Sequence, residues 1–152
     1  MRLLAERLVR LQSSELRPFS SDDLRDTRVF AFYYAGAWCP ACRKFTPLLI
    51  EWYRRTKAEH PEFELIWVTN DRSELTMAEY MRKAQMPWPA VRFDKADQTV
   101  RQFAGDGIPW LVAVSDTGKP LTTNGTTKQY LDPVKVMEGI EFLLAQLRSP
   151  QR

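Results

Sequence analysis

The chain has 152 residues, of which 44% are hydrophobic and 27% charged, and its formal net charge at pH 7 is +3. This length suffices for one domain with a full hydrophobic core, so the cysteines are not needed to hold the fold together. No apolar run approaches the ~20 residues of a membrane span, and the basic residues are scattered rather than concentrated as on a nucleic-acid-binding surface, so we expect neither a membrane nor a nucleic acid as partner.

The first residues, "MRLLAERLVRLQSSELRPF", interrupt their apolar positions with charges. They contain no secretory core of ~7–15 uninterrupted apolar residues. We therefore expect a cytoplasmic protein, or a periplasmic one whose leader has been removed.

Residues 1–27 are interpreted as an N-terminal extension packed on a single domain that spans residues 1–152. In this extension Leu4, Leu8 and Leu11 have the spacing of one helical face, and the later "SSDDL" is a helix-cap or turn signal. A surface helix or a short strand is favoured over an arm that binds a partner.

The strongest predicted strand covers residues 29–34, "VFAFYY", because a continuous apolar run is typical of a strand buried on both faces. A helix is predicted over residues 40–58 from apolar residues at steps of three and four. Pro40 suits the first helical position, where a missing N–H costs nothing. Pro47, inside the pattern, is expected to kink the helix.

The remaining elements continue the alternation of strands and helices. They are a strand over residues 63–70, a helix over 73–84 capped by Ser73, a loop over 86–89, a short helix over 99–104, two strands within 107–125 joined by a turn at 116–119, and a closing helix over 132–147. The closing helix is expected to turn Val136, Ile140, Leu143 and Leu147 inward. This order predicts an α/β fold, a three-layer sandwich around a mixed sheet.

The two cysteines, Cys39 and Cys42, form a C-x-x-C pattern where the first strong strand meets its helix. Unpaired N–H groups and the macrodipole at a helix N-terminus stabilise a thiolate, which is the form that attacks disulfides. Cys39, at the helix start and expected to face outward, is the predicted nucleophile. Cys42, almost one turn later and more covered, is the predicted resolving thiol.

Two other uses of the cysteines were weighed. A structural zinc site wants four ligands, and the chain offers two cysteines and one histidine, His60, which is predicted to be solvated or to cap a helix end. A structural disulfide between them would close a very small loop. Its contribution to stability would therefore fall well below the ~3 kcal/mol expected of a 15-residue loop. Redox chemistry is favoured, with no metal and no cofactor beyond a Cys39–Cys42 disulfide.

At "AWCPACRKFTP" the sequence resembles the thioredoxin superfamily, and within it the tryparedoxin and nucleoredoxin branch. "FTPLLIEWY" after the motif, "NDRSE" at residues 70–74 and "MPWPAV" at residues 86–91 suggest the same branch. The resemblance covers residues 27–123. It implies a thioredoxin-like α/β/α sandwich and a thiol–disulfide oxidoreductase of cell redox homeostasis.

The resemblance also implies a substrate groove around the dithiol. It places the loop with a cis Ile108–Pro109 peptide bond opposite Cys39, where the Ile108 backbone can pair with an extended substrate segment. The implied substrate-contacting residues are Trp38, Pro40, Ala41, Ile108, Pro109 and Trp110. Trp38 and Trp110, together with Trp88 unless it belongs to the core, are expected to form an apolar collar that favours a protein or peptide substrate.

Four departures from the family pattern are present. The central pair is Pro40–Ala41 instead of Pro-Pro, and Trp110 replaces the threonine that usually follows the cis proline. Tyr33 stands where thioredoxins proper carry a buried acid that helps proton transfer; tryparedoxins have a tyrosine there too, so proton transfer is expected to use water or another group. Residues 70–72, "NDR", replace the Trp-Asp-Glu that helps tryparedoxins bind their glutathione-derived reductant, which weakens the case for the same reductant and favours the resemblance to nucleoredoxin.

The function predicted from the sequence is reduction of protein disulfides by a monomer that an external dithiol reductant or reductase resets. Two alternatives stay open. One is an extracytoplasmic reductase or oxidase whose leader has been removed. The other is a redox-regulated adaptor of nucleoredoxin type, which grips partners through the Pro109 loop.

Overall fold

A mixed six-stranded sheet, in the order β2-β1-β5-β4-β3-β6, organises the computed structural model, which describes residues 1–121 and 132–148. The strands are β1 (Leu8–Gln12), β2 (Glu15–Phe19), β3 (Val29–Ala35), β4 (Phe63–Thr69), β5 (Ala90–Val91) and β6 (Trp110–Ser115). β4 runs parallel to β3 and β5, while the other neighbouring pairs are antiparallel. The predicted mixed sheet is confirmed.

The strand β3 lies inside the sheet, paired with β4 on one side and β6 on the other. All of its residues are buried. Because side chains alternate along a strand, Ala31 and Tyr33 enter one core cluster while Phe32 and Tyr34 enter the other. The prediction of a strand buried on both faces is confirmed.

Helices cover the two faces of the sheet. α1 (Pro40–Glu59), α2 (Glu74–Ala84) and α4 (Pro133–Arg148) pack on the face that contains Tyr33. The short α3 (Gln98–Arg101) and 3-10 turns at Arg2–Leu4 and Ser21–Leu24 cover the other face. This is the expected three-layer arrangement. No helix in the described ranges combines the length and apolarity needed to cross a membrane.

The helix α1 begins at Pro40, as the sequence predicts, and contains Pro47 at an exposed position. The chain remains helical beyond Pro47 as far as Glu59. Ser73 caps α2 by accepting a hydrogen bond from the Thr76 N–H at 3.1 Å. Both predicted helix starts are therefore confirmed.

The N-terminal extension is a β-hairpin that enlarges the sheet, since β1 pairs with β2 and also with β5. The predicted helical face is wrong and the short-strand alternative is correct. In a strand, residues three apart point to opposite faces, so Leu8 joins the cluster on one face and Leu11 packs against the other. The hairpin loop places Ser13 and Ser14 at positive φ, as tight hairpin turns require.

Two predictions near the C-terminus need correction. Leu147 was expected to point inward but is 39% exposed, whereas Leu144 is buried, because α4 buries an i, i+4 stripe through Val136 and Ile140. The strand predicted after the 116–119 turn shows only a bridge between Val114 and Pro120, and its later part lies outside the described residues.

Candidate active site

Cys39 occupies the cap position between β3 and α1. Its backbone is extended (φ −93°, ψ 110°), and its Sγ accepts a hydrogen bond from the Cys42 N–H at 3.1 Å. The Cys39 N–H donates to the Gly36 carbonyl at 3.2 Å, which turns the chain from strand to helix. The sulfur thus stands where a serine or aspartate oxygen usually caps a helix, directly before the positive end of its dipole.

The sulfur of Cys39 is recessed rather than outward-facing. Cys39 is 5% exposed and Cys42 is 0% exposed. The expected order of exposure is confirmed, but the expectation that Cys39 faces out is wrong. Capping explains the difference, because accepting the Cys42 N–H turns the sulfur back over the first turn of α1.

Cys42 is a free thiol, as is Cys39. Burial, followed by a hydrogen bond with Cys39, raises the pKa of Cys42 to about 12, while the Gly36 backbone acts in the opposite direction. The charges of Cys39 and Asp71 add smaller increases. Cys42 therefore carries its proton at neutral pH and must lose it before it can attack a disulfide.

The loop before β6 lies opposite the dithiol. The Ile108–Pro109 peptide bond is cis, as predicted. Cys39 Sγ lies 3.9 Å from the Ile108 carbonyl oxygen, so the Ile108 backbone is next to the sulfur. Ile108 is half-buried and Pro109 is buried.

The loop 36–38, which leads to Cys39, is fastened to the end of β4. The Ala37 N–H donates to Asp71 Oδ1 at 2.7 Å, and the Trp38 indole N–H donates to the Asn70 carbonyl at 2.9 Å. Asp71 is itself only 7% exposed and accepts a hydrogen bond from the Thr69 hydroxyl at 2.9 Å through Oδ2. Since β3 and β4 are parallel neighbours, the residues that follow them meet at one edge of the sheet.

Three buried hydroxyl groups lie behind Cys42. Thr46 Oγ1 is 2.8 Å from each of the Tyr33 and Tyr80 hydroxyls and donates to the Cys42 carbonyl at 2.8 Å. A threonine has one proton and two lone pairs, so both tyrosines must donate to Thr46. Burial raises the pKa of both phenols, that of Tyr80 to about 12.

Thr46 and Tyr80 are not among the site residues predicted from the sequence. Thr46 follows Cys42 by one helical turn, and this i, i+4 spacing was a usable signal. Tyr80 lies on α2 and reaches the site by packing across the sheet face, a contact that local sequence patterns do not contain.

The predicted collar of tryptophans around the sulfur is reduced to Trp38, which is 59% exposed and stands beside the exposed Pro40 and Ala41. Trp88 is fully buried and meets the rings of Tyr33 and Tyr53 edge-on, so the core interpretation is correct for it.

Trp110 is 5% exposed and belongs to the core cluster on the sheet face opposite the cysteines, so its predicted place in the collar is wrong. It pairs with Tyr34 across β3 and β6, and directly paired residues share a face. Its indole N–H donates to the Phe103 carbonyl at 3.1 Å, and its ring fills the space beside Gly105, where an added Cβ would lie 2.2 Å from Cη2.

His60 caps the C-terminal end of α1, with its N–H bonded to the Thr56 carbonyl and its Nδ1 3.0 Å from Glu62. At 1.5 Å rise per residue, α1 separates it from Cys39 by roughly 30 Å. In the described part of the chain, no three His, Cys, Asp or Glu side chains come together as a metal site requires.

Comparison with known proteins relates the whole arrangement to one family. A family model described as thioredoxin-like matches residues 26–120. The chain is 37% identical over 97 residues to probable nucleoredoxin 1 of Arabidopsis thaliana, covering 62% of this chain and 16% of that protein. It is 33% identical over 105 residues to tryparedoxin of Trypanosoma brucei brucei, covering 66% of this chain and 71% of that protein.

Among solved structures, a thioredoxin from Wuchereria bancrofti superposes with a TM-score of 0.69 at 26% identity, covering 92% of this chain and 97% of the other. The chain spans between 16% and 31% of the length of the animal and Arabidopsis nucleoredoxins that it matches. The fold, the cis proline loop and these similarities agree, and the chain belongs to the thioredoxin-like family.

Proposed function

We propose that this chain is a thiol–disulfide oxidoreductase that reduces disulfides in proteins, with Cys39 as the nucleophile and Cys42 as the resolving thiol. The observation that carries the proposal is the hydrogen bond of 3.1 Å from the Cys42 N–H to Cys39 Sγ at the first turn of α1. A sulfur so placed accepts a hydrogen bond from the first turn of α1, at the positive end of the helix dipole. Its partner thiol is within the same turn.

The reaction has two exchange steps. The Cys39 thiolate attacks one sulfur of the substrate disulfide, forming a mixed disulfide and releasing the other substrate sulfur as a thiolate that takes up a proton. Cys42 then loses its proton and attacks Cys39 Sγ, which breaks the mixed disulfide and releases the second substrate thiol. Two electrons pass to the substrate, and the protein is left with a Cys39–Cys42 disulfide.

The surroundings of the sulfur favour an extended polypeptide as substrate. The Ile108 carbonyl lies 3.9 Å from Cys39 Sγ, on a backbone that can pair with a substrate strand. Trp38, 59% exposed, offers an apolar surface on the other side of the cysteine. The contact surface that we assign to the substrate also includes Pro40 and Ala41, at the exposed start of α1. It includes Pro109 as well, next to Ile108, whose backbone would pair with the substrate.

The proposal includes the setting in which the enzyme works. An external dithiol returns two electrons and two protons to the Cys39–Cys42 disulfide, so no further cofactor or metal takes part. We place the protein in the cytoplasm as a monomer formed by one domain over residues 1–152. A reduction potential near −270 mV would agree with a reductase, and one near −120 mV would indicate an oxidant instead.

Dithiol-driven reduction of insulin tests the proposal. Wild type is expected to accelerate it, Cys39→Ser to abolish the acceleration, and Cys42→Ser to accumulate a mixed disulfide with insulin visible on a non-reducing gel. Equal rates for wild type and Cys39→Ser contradict the proposal. Protein partners retained by the Cys39→Ser, Cys42→Ser double variant would indicate the adaptor function instead.

A further inference from the structure

We propose that Asp71 is the proton acceptor for Cys42 in the step that resolves the mixed disulfide. This inference rests on the proposed function and adds a residue to it. Asp71 is on the segment between β4 and α2, outside the C-x-x-C turn and outside the loop that carries the cis proline. Its carboxylate reaches the site because the ends of the parallel strands β3 and β4 lie side by side.

The resolving step needs a base. Cys42 is fully buried, and burial keeps its thiol protonated at neutral pH. The thiol cannot attack Cys39 Sγ until that proton has moved. A buried group within reach of the sulfur, directly or through one water molecule, is the efficient way to take it.

The side chains around Cys42 can be sorted by what they do with protons. Tyr33 from β3 and Tyr80 from α2 both donate to Thr46, and burial raises their pKa, so they hold their protons. Thr46 uses its one proton on the Cys42 carbonyl and both lone pairs on the tyrosines. These three hydroxyl groups are therefore unsuited to accept a proton from Cys42.

The carboxylate of Asp71 has the opposite character. Both of its described partners are donors, the Ala37 N–H at 2.7 Å and the Thr69 hydroxyl at 2.9 Å, as expected of an ionised carboxylate. It is fixed beside the loop that leads into the C-x-x-C turn, because it accepts from Ala37, two residues before Cys39, and its charge contributes to raising the pKa of Cys42. The Gly36 carbonyl accepts from the Cys39 N–H at 3.2 Å and the next N–H, that of Ala37, donates to Asp71, so the carboxylate and the start of the C-x-x-C turn are held by the same stretch of backbone.

No described side chain neutralises Asp71. Two guanidinium groups lie nearby, but Arg43 donates to the Ala37 carbonyl and Arg101 donates to the Thr69 carbonyl at 2.5 Å. Neither forms an ion pair with Asp71 in the part of the chain that the structure describes. Burying a carboxylate to 7% exposure without a cation partner costs folding free energy, which argues for a functional role.

Proton transfer and disulfide exchange are coupled in the proposed step. The proton of Cys42 moves to the Asp71 carboxylate, and the new thiolate attacks Cys39 Sγ of the mixed disulfide. The bond between Cys39 and the substrate sulfur breaks, and the departing substrate thiolate takes a proton from Asp71 or from water. The carboxylate is ionised again when the Cys39–Cys42 disulfide has formed.

The test separates the two exchange steps in a single turnover. Reduced protein is mixed with a short peptide disulfide and quenched with acid, and the mixed disulfide and the oxidised protein are measured by mass. Asp71→Asn keeps an oxygen for the Ala37 N–H but removes the base. We expect it to form the mixed disulfide within about threefold of the wild-type rate and to resolve it at least about tenfold more slowly near pH 7.

Two further variants distinguish proton transfer from loop positioning. Thr69→Val removes a hydrogen bond to Asp71 but keeps the carboxylate, so we expect it to form the mixed disulfide as wild type does and to resolve it faster than Asp71→Asn. Asp71→Glu restores a carboxylate and is expected to resolve faster than Asp71→Asn. If Asp71→Asn does not fold, Asp71→Glu decides alone, since moving the base by one methylene should slow resolution but not formation.

Three results would overturn the inference. They are an unchanged resolution rate in Asp71→Asn, equal slowing of both steps in Asp71→Asn and Thr69→Val, and equal resolution rates in Asp71→Glu and Asp71→Asn. Failure of the proposed function looks different, because wild type and Cys42→Ser would then form no mixed disulfide at all.

Discussion

The amide of Cys42 points at the sulfur of Cys39, with 3.1 Å between nitrogen and sulfur. This single contact has two effects. It satisfies one of the N–H groups left unpaired at the start of α1, and it places a hydrogen-bond donor on the atom that we assign as nucleophile. The same contact turns the sulfur inward, so the capping hydrogen bond reduces the exposure of the atom that must attack the substrate.

The capping role predicts a difference between two inactive variants. Cys39→Ser keeps a side-chain acceptor for the Cys42 N–H, whereas Cys39→Ala removes it. Loss of a helix cap costs about 0.5–2 kcal/mol. We therefore expect urea unfolding of the reduced proteins to show Cys39→Ala less stable than Cys39→Ser by about 1 kcal/mol. A Cys39→Ala variant as stable as Cys39→Ser would contradict the capping role.

The state of Cys42 predicts how each thiol reacts with iodoacetamide. Burial raises the pKa of Cys42 to about 12, so in Cys39→Ser the remaining thiol should be alkylated much more slowly than the remaining thiol of Cys42→Ser. Because the protonated form dominates below that pKa, the Cys42 rate should climb about tenfold per pH unit between about pH 7 and 9. A rate for Cys42 that levels off below about pH 9 would show an accessible, ordinary thiol.

The sequence predicted most of the local framework of the site. The apolar run of β3, the start of α1 at Pro40 and the cap of α2 at Ser73 are all local features, and each is observed. Trp110 shows where locality fails. The Ile108 carbonyl, two residues earlier, lies 3.9 Å from Cys39 Sγ, but Trp110 pairs with Tyr34 and enters the opposite core.

The residues near the cysteines that are distant in sequence could not be predicted from local sequence patterns. Asp71 and Tyr80 belong to the segment from β4 to α2. Asp71 meets the Ala37 N–H because of the strand order, and Tyr80 meets Thr46 because α1 and α2 pack on the same face of the sheet. Neither relation follows from residue spacing within one element. The alternation of strands and helices implies that β3 and β4 are parallel. The contact between residues 36–38 and 70–71 could therefore have been predicted from the topology.

The hydroxyl cluster behind Cys42 predicts that Thr46 contributes to stability through its oxygen rather than its shape. Thr46→Val has nearly the same volume but leaves two tyrosine donors without their acceptor and removes the side-chain bond to the Cys42 carbonyl. An unsatisfied buried polar group costs about 1–3 kcal/mol. Urea unfolding should therefore show Thr46→Val at least about 2 kcal/mol less stable than wild type. The control is Thr46→Ser, which keeps the hydroxyl and should lose clearly less; equal losses in both variants would mean that the methyl group, not the hydroxyl, matters.

The tight turn before Cys39 predicts opposite signs for two glycine substitutions. A Cβ at Gly36 would lie 2.7 Å from Trp38 Nε1 and 3.3 Å from the Asn70 carbonyl carbon, so either the indole or the backbone of the end of β4 must move. Overpacking of this kind costs about 1–3 kcal/mol. We expect Gly36→Ala to lower the free energy of unfolding by that amount and to break the hydrogen bond from Trp38 to Asn70, which a change in tryptophan fluorescence would report.

Gly139 provides the matched control, since a Cβ added there meets nothing within 4 Å and the residue lies on the exposed side of α4. Alanine is favoured over glycine inside a helix by about 0.5–1 kcal/mol. Gly139→Ala should therefore raise the free energy of unfolding while leaving insulin reduction unchanged. Because Gly36→Ala also displaces the loop that carries Cys39, it should slow that reduction. If Gly36→Ala were as stable and as active as Gly139→Ala, the loop 36–38 would not be held in the position described here.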